Sequence, residues 1–356
     1  MRARYLAILA TDTEDGRRAA AKARAACRGG SPYSVVVDQP DFVLITDGKA
    51  PTIPVGRHEG MVVGRIYSRS GGPPLSKLDG SWIHMIPSSH GAVLMETFWG
   101  SYVAFVRSSG RRQISVLRAP FGGLACLVAR SGAALLVASD LELLAVAGWR
   151  PAGIAWDQVV LHLLARDLRR ARTCIAGLEE LRGGERLLLA EDRVERDPVW
   201  TPWAHAGIAS WASDRAAGVE RVRHAVLAAV TSTTAEAKHP LLLLSGGLDS
   251  SIVAASLRAN GRPFTALNLS GHGAIGDERE YARDVARACG AALVEEQWQV
   301  AQVDLTRSSP ELLPPTPRAP SCRRPTGSPS ERQWRRAPTS CSTAAVGTMS
   351  SVHSSR

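Results

Sequence analysis

Residues 239–257 read HPLLLLSGGLDSSIVAASL, and no other stretch limits the fold as tightly. The run PLLLL has no polar alternation, so it predicts a strand buried on both faces, the condition of a parallel sheet covered by helices. The segments after it keep the pattern: a helix from Ser250 to about Asn260, the strand FTALNL, a helix in DEREYARDVARACG stopped by Gly290, and the strand AALVEEQ. A further helix over about 212–232 leads in. Alternation of buried strands and helices predicts an α/β doubly wound parallel sheet. Such sheets bind ligands at the carboxyl ends of their strands, and SGGLDSS falls at one of those ends.

The loop has the chemistry of an anion cradle. Gly246 and Gly247 let the backbone approach a ligand and adopt dihedrals closed to other residues. Ser245, Ser250 and Ser251 bring hydroxyl donors, and the amides at the helix start carry the positive end of its dipole. Asp249 would repel a phosphate directly, so its natural use is to hold a bridging Mg²⁺. No lysine follows the glycines, which excludes a Walker-type loop. A plain strand–turn–helix with glycine turns and an Asp or Ser cap is the bland alternative. The seven-residue string in this setting favours the cradle.

Residues 1 to about 205 have a different rhythm. Short apolar runs (YLAIL, SVVV, FVLIT, MVVGRIY, YVAFV, ISVLR, ALLVAS, ERLLLA) are separated by turn residues, and this predicts an α+β sandwich. Helical spacing appears over 14–27 and in WDQVVLHLLARDLRRA, and WTPWAHAGI marks the exit into the second unit. A chain of 356 residues fits about two domains. At 45% apolar and 21% charged, the composition is that of a globular protein. No stretch reaches the ~18–20 apolar residues of a membrane span. The opening MRARYLAILATDTEDG lacks the form of a signal peptide, so a cytoplasmic location without membrane contact is expected. Cys27, Cys126, Cys174, Cys289, Cys322 and Cys341 form no CxxC pair and read as small buried thiols.

The net charge of +10 invites a nucleic-acid partner, but its distribution argues against one. From Pro320 onward there are six arginines and a single acid, Glu331, so half of the excess sits in the tail. That tail, 320–356, is rich in Pro, Ser and Arg and shows no helix or strand periodicity.

SGGLDSS resembles the pyrophosphate loop of the ATP-pyrophosphatase superfamily, in the form used by its asparagine synthetase branch. DEREYARDVARACG, LRAPFGGLACLVARSGAALLVASDLELL, GLEELRGGERLLL and WTPW also match that family in order, so the resemblance covers about residues 1–305. The resemblance implies a class II amidotransferase-like domain of N-terminal nucleophile fold over 1–205 and a partial synthetase domain over 206–319. It further implies ATP and Mg²⁺ as cofactors, with Asp249 as metal ligand. The nucleotide would be held by Leu243, Ser245, Gly246, Gly247, Leu248, Asp249, Ser250, Ser251 and, on the strand near the adenine, Leu267. No residue is singled out as catalytic.

Two departures narrow the reading. Glutamine-dependent members begin Met-Cys, with the cysteine as nucleophile, whereas this sequence begins Met1-Arg2-Ala3-Arg4 and has no cysteine before Cys27. The first domain then resembles the relic domain of β-lactam synthetases and lasso-peptide cyclases, whose amine comes from the substrate. The family also has a later glycine loop ending in an acid, which is missing here. Back-translated and read one base earlier, with third bases leaning to G and C, CSTAAVGTMSS becomes LFNGGGGDNVF. The preceding PSCRRPTGSPSERQWRRAPTS becomes AFMQAADRLAERAAVAARADV, an amphipathic helix entering a strand. Four glycines in a row need four successive codons beginning with G, which Ala344, Ala345, Val346 and Gly347 supply. A frameshift near Ala319 to Pro320 is therefore expected, and it accounts for the basic tail.

The expected function is an ATP-dependent, macrolactam-forming ligase of the lasso-peptide cyclase kind. It would adenylate an Asp or Glu side chain of a ribosomal precursor peptide for attack by that peptide's N-terminal amine, with a leader-peptide protease as a second partner. The alternatives are an ammonia-using asparagine synthetase, a β-lactam synthetase-like enzyme, and an inactive truncated remnant.

Overall fold

In the computed structural model, the described residues are 3–10, 13–28, 33–78, 80–108, 113–165, 168–190, 193–207, 211, 214–270, 277–297 and 315. Two compact units emerge: Met1–Arg69 and Leu75–Ser210 contribute to one, Ser70–Pro74 and Trp211–Thr306 to the other.

The first unit is built on two six-stranded sheets whose recorded pairings are all antiparallel. One sheet contains β1 (Tyr5–Ala10), β2 (Ser34–Asp38), β3 (Phe42–Thr46), β8 (Leu127–Ser131), β9 (Ala134–Ala138) and β10 (Leu178–Glu180), in the order β10-β8-β9-β1-β3-β2. The other contains β4 (Thr52–Val55), β5 (Gly60–Ser68), β6 (Phe98–Arg107), β7 (Gln113–Arg118), β11 (Glu185–Ala190) and β12 (Arg193–Pro198), in the order β12-β11-β7-β6-β5-β4.

The sheets face each other across a core that includes Tyr5, Leu9, Phe42, Phe105, Val116 and Leu187. On the outer side of the first sheet, α1 (Glu14–Arg28) and α4 (Leu141–Val146) pack Ala20, Ala23, Leu143 and Leu144 against Leu6, Ile8 and Val43. On the outer side of the second, α2 (Trp82–Ser88) and α3 (Ala92–Thr97) pack Ile86, Leu94 and Met95 against Val62, Tyr102 and Ala104. The result is a helix–sheet–sheet–helix stack. It explains why YLAILA is apolar throughout: β1 is an interior strand with all of its residues buried between two cores. The expected α+β sandwich is the observed one.

Several boundaries differ from the sequence reading. The helical pattern WDQVVLHLLARDLRRA forms a helix, α5, only over Trp156–Leu164. Its Ala165 cap leaves helical dihedrals, and the arginine-rich remainder is not helical where described. The short α2, α3 and α4 were not anticipated, nor were β4, β8, β10 and β12.

The second unit contains α6 (Arg215–Thr234), β13 (Leu241–Leu243), α7 (Leu248–Ala259), β14 (Thr265–Ser270), α8 (Arg279–Cys289) and β15 (Ala292–Gln297). Asp214 caps α6 by accepting the amides of Ala216 and Ala217, and Gly290 ends α8 in the left-handed conformation. The three strands are parallel in the order β13-β14-β15. Both crossovers therefore step in the same direction, and right-handed connections put α7 and α8 on one face. Leu242, Leu244 and Ala266 face those helices and join Ala254, Leu257, Ala282 and Ala286 in one core. On the opposite face Leu243 and Leu269 are exposed, at 47% and 39%. The described part of the sheet is thus wound on one side, where a doubly wound sheet is wound on both. The proposed frameshifted tail, 320–356, lies outside the described residues.

Candidate functional site

Strand β13 ends at Leu243, Leu244 is buried, and the chain turns through Ser245, Gly246 and Gly247 into α7 at the carboxyl edge of the sheet. The helix starts at Leu248, two residues before its expected start, so Leu248 and Asp249 occupy its first turn. The first-turn amides have no acceptor within the helix, and the dipole points its positive end out of the loop.

The two glycines have separate roles. Gly246 has φ of +91°, and a Cβ there would lie 2.6 Å from the Cβ of Tyr281 and 2.7 Å from the amide nitrogen of Ala282. The loop therefore rests on the first turn of α8. Gly247, expected to need special dihedrals, has ordinary extended ones (φ −69°, ψ 167°) and acts as the helix N-cap. A Cβ at Gly247 would only touch Ser245 Oγ, at 3.4 Å.

The hydroxyls brace the loop. Ser251 Oγ donates to the Gly247 carbonyl at 2.8 Å, and Ser250 Oγ donates to the same oxygen at 3.2 Å. Ser245 Oγ accepts the Gly247 amide at 3.2 Å and lies 3.1 Å from Ser250 Oγ. Leu248 is 77% exposed, and the Asp249 carboxylate is on the exposed side of the helix start. Leu243 and Leu267 stand opposite each other in the parallel register, beside the loop, with Leu243 exposed and Leu267 buried. The expected nucleotide residues are thus contiguous in space.

Among the described residues no group of three or more His, Cys, Asp or Glu side chains is placed to hold a metal. Asp249 stands as a single carboxylate beside amide and hydroxyl donors. The amides and hydroxyls suit phosphate rather than a cation, so Mg²⁺ would be shared between this one carboxylate and substrate phosphates, as it commonly is.

Asn268 was missed in the sequence. It is 3% exposed, donates from Nδ2 to the Leu244 carbonyl at 2.8 Å, and leaves Oδ1 buried without a partner among the described residues. It anchors the residue that opens the loop from the neighbouring strand. The available signal was the lone amide between the two leucines of FTALNL. Asp277, just before α8, accepts from the Arg279 guanidinium, and this pairing lowers its pKa to about 2.

In the first unit, Cys126 is fully buried and desolvation pushes its thiol up to about 11, the opposite of an activated nucleophile. Cys174 is buried and Cys289 half-buried. Incubation of the purified protein with glutamine is therefore expected to release no glutamate above a heat-denatured control. Glutamate release above that control would contradict this.

Residues 221–327 match the family model for asparagine synthase. That match supports an asparagine synthetase-like, ATP-dependent, amide-bond-forming ligase chemistry, and the SGGLDSS loop lies within the matched segment. No curated protein matches the chain. Among solved structures, a glutamine phosphoribosylpyrophosphate (PRPP) amidotransferase from B. subtilis, complexed with ADP and GMP, is 10% identical with a TM-score of 0.34. The alignment covers 83% of this chain and 81% of that one. A structure described as the allosteric regulatory enzyme of purine biosynthesis is also 10% identical, with a TM-score of 0.32, covering 83% and 80%. No helix among the described residues is long and apolar enough to cross a membrane.

Proposed function

We propose that the second unit binds ATP at SGGLDSS and activates a carboxylate by adenylation. The observation that carries this is the loop itself: the end of a parallel strand, a left-handed Gly246 and a helix start at Gly247 bring amides, hydroxyls and one carboxylate together. The α7 amides and the Ser245 hydroxyl would take the β- and γ-phosphates, which leave as pyrophosphate, and Ser250 and Ser251 would turn their hydroxyls from the Gly247 carbonyl to join them. Asp249 would hold Mg²⁺, which when bound offsets the repulsion between phosphate and carboxylate. Leu243 and Leu267 would seat the nucleoside.

The acceptor in this reading is an Asp or Glu side chain of a ribosomal precursor peptide. Its carboxylate oxygen bonds to the α-phosphorus as pyrophosphate departs. The peptide's own N-terminal amine then attacks the acyl carbon, AMP leaves, the nitrogen loses a proton and a macrolactam results. Holding amine and acyl adenylate together is an entropic contribution of about several kcal/mol. A leader-peptide protease would expose that amine.

A second reading, an inactive remnant of such a ligase, is favoured by the exposed Leu243 and Leu269 on the uncovered side of the sheet. One experiment separates the two: ATP–pyrophosphate exchange with precursor peptide, using the 356-residue chain and a chain restored by deleting or inserting one base near codon 319. Exchange is expected only after restoration, and Asp249→Asn is expected to lower it about 100-fold or more. Exchange by the restored enzyme that Asp249→Asn leaves intact would overturn the proposal. Exchange by the original chain would overturn the frameshift reading.

A further inference from the structure

The first unit contains a cavity of about 610 Å³ between the edge strands of its two sheets and the connections around residues 149–155 and 172–179. Its lining is one-sided in charge. Arg130, Arg150, Arg172 and Arg196 reach it, against the single carboxylate of Glu179. Two of these guanidiniums are committed. Arg196 bonds Glu179 at 2.7 Å and reaches Glu185 at 3.4 Å, and Arg172 meets Asp157 at 3.0 Å. The other two are not neutralised. Among the described residues the Arg130 side chain has no ion-pair or hydrogen-bond partner, and the Arg150 guanidinium donates through Nη1 alone, to the carbonyls of Ala145 and Trp149. Planar guanidinium forks left open in this way match carboxylates.

Apart from Thr173 the remainder of the lining is apolar, with Trp149, Leu187 and Val194 contributing to the walls. Val194 and Arg196 belong to β12, the terminal strand of its sheet, whose outer edge has no strand partner among the described residues. An open edge offers alternating main-chain donors and acceptors, which an extended peptide can pair with along its length.

We propose that this cavity binds an extended acidic peptide segment, pairing along β12 and placing a carboxylate on Arg130 and Arg150 and an apolar side chain against Trp149. The site lies wholly within the first unit, and the proposal holds whether or not the second unit is an active ligase.

The test is fluorescence anisotropy of a fluorescein-labelled octapeptide of alternating Leu and Glu with the full 356-residue protein. Saturable binding is expected, weakening with added salt. The double variant Arg130→Glu, Arg150→Glu should raise Kd about tenfold or more, with Arg130→Ala, Arg150→Ala as a second pair. Both residues are exposed, so circular dichroism matching the parent is expected for these variants. The double variant Arg57→Glu, Arg69→Glu, an equal charge change at other exposed positions of this unit, should leave Kd unchanged. Absence of saturable binding, equal loss in the Arg57, Arg69 variant, equal binding of a Leu–Lys octapeptide, or full displacement by equimolar inorganic phosphate or oligonucleotide would each overturn the proposal.

Discussion

Valine in place of Gly246 is expected to unfold the second unit locally and to eliminate nucleotide binding at the loop. Two independent costs combine. A branched residue at φ of +91° is strained by about 1–3 kcal/mol, and a Cβ within 2.6 Å of Tyr281 forces α8 outward at a further cost of about 1–3 kcal/mol. Gly247→Ala supplies the contrast, because that position has an ordinary φ and open space, and it should shift stability by less than about 1 kcal/mol. Limited proteolysis between residues 239 and 290 reads the difference. Equal sensitivity of the two variants would show that the loop does not depend on contact with α8.

Glu180→Ala in the first unit is expected to cost about 3–5 kcal/mol, because it leaves the Arg118 guanidinium buried without its charge partner. Arg118 Nη1 donates to Glu180 Oε1 at 2.8 Å and to the Leu181 carbonyl at 2.7 Å, and the two side chains are only 12% and 9% exposed. Arg118→Met, Glu180→Leu should recover much of the loss, since removing both charges removes the desolvation penalty as well. The midpoint of urea unfolding measures both. A single variant as stable as the parent would mean that solvent reaches the pair.

Much of this architecture could be read from residue patterns where local preference and tertiary demand agree. FVLIT and ERLLLA became strands with their expected bounds, and SGGLDSS lies on the strand-to-helix turn its letters imply. The missed elements owe their existence to partners. The three residues of β10 are a strand because they pair with β8, and no pattern of that length announces itself. Helix α2 contains Pro87, which hides it from any reading by propensity. Helix α4 was legible in principle: Asp140 caps it by accepting the Leu143 amide. At the candidate site the letters located the loop but did not distinguish Gly246 from Gly247. That difference is set by Tyr281, more than thirty positions away, and the role of Asn268 is set by a carbonyl on the adjacent strand.

The pairing of β1 has a consequence for how the chain is made. Its neighbours are β3, close in sequence, and β9, which ends at Ala138. As the polypeptide leaves the ribosome, YLAILA must wait as an exposed apolar ribbon until the codon for Ala138 has been translated, a delay of several seconds at about 5–20 residues per second. A chaperone that shields short apolar segments has its window there. Once β11 and β12 have emerged, the sandwich holds all of its described strands, and its two sheets can close while the second unit is still being translated.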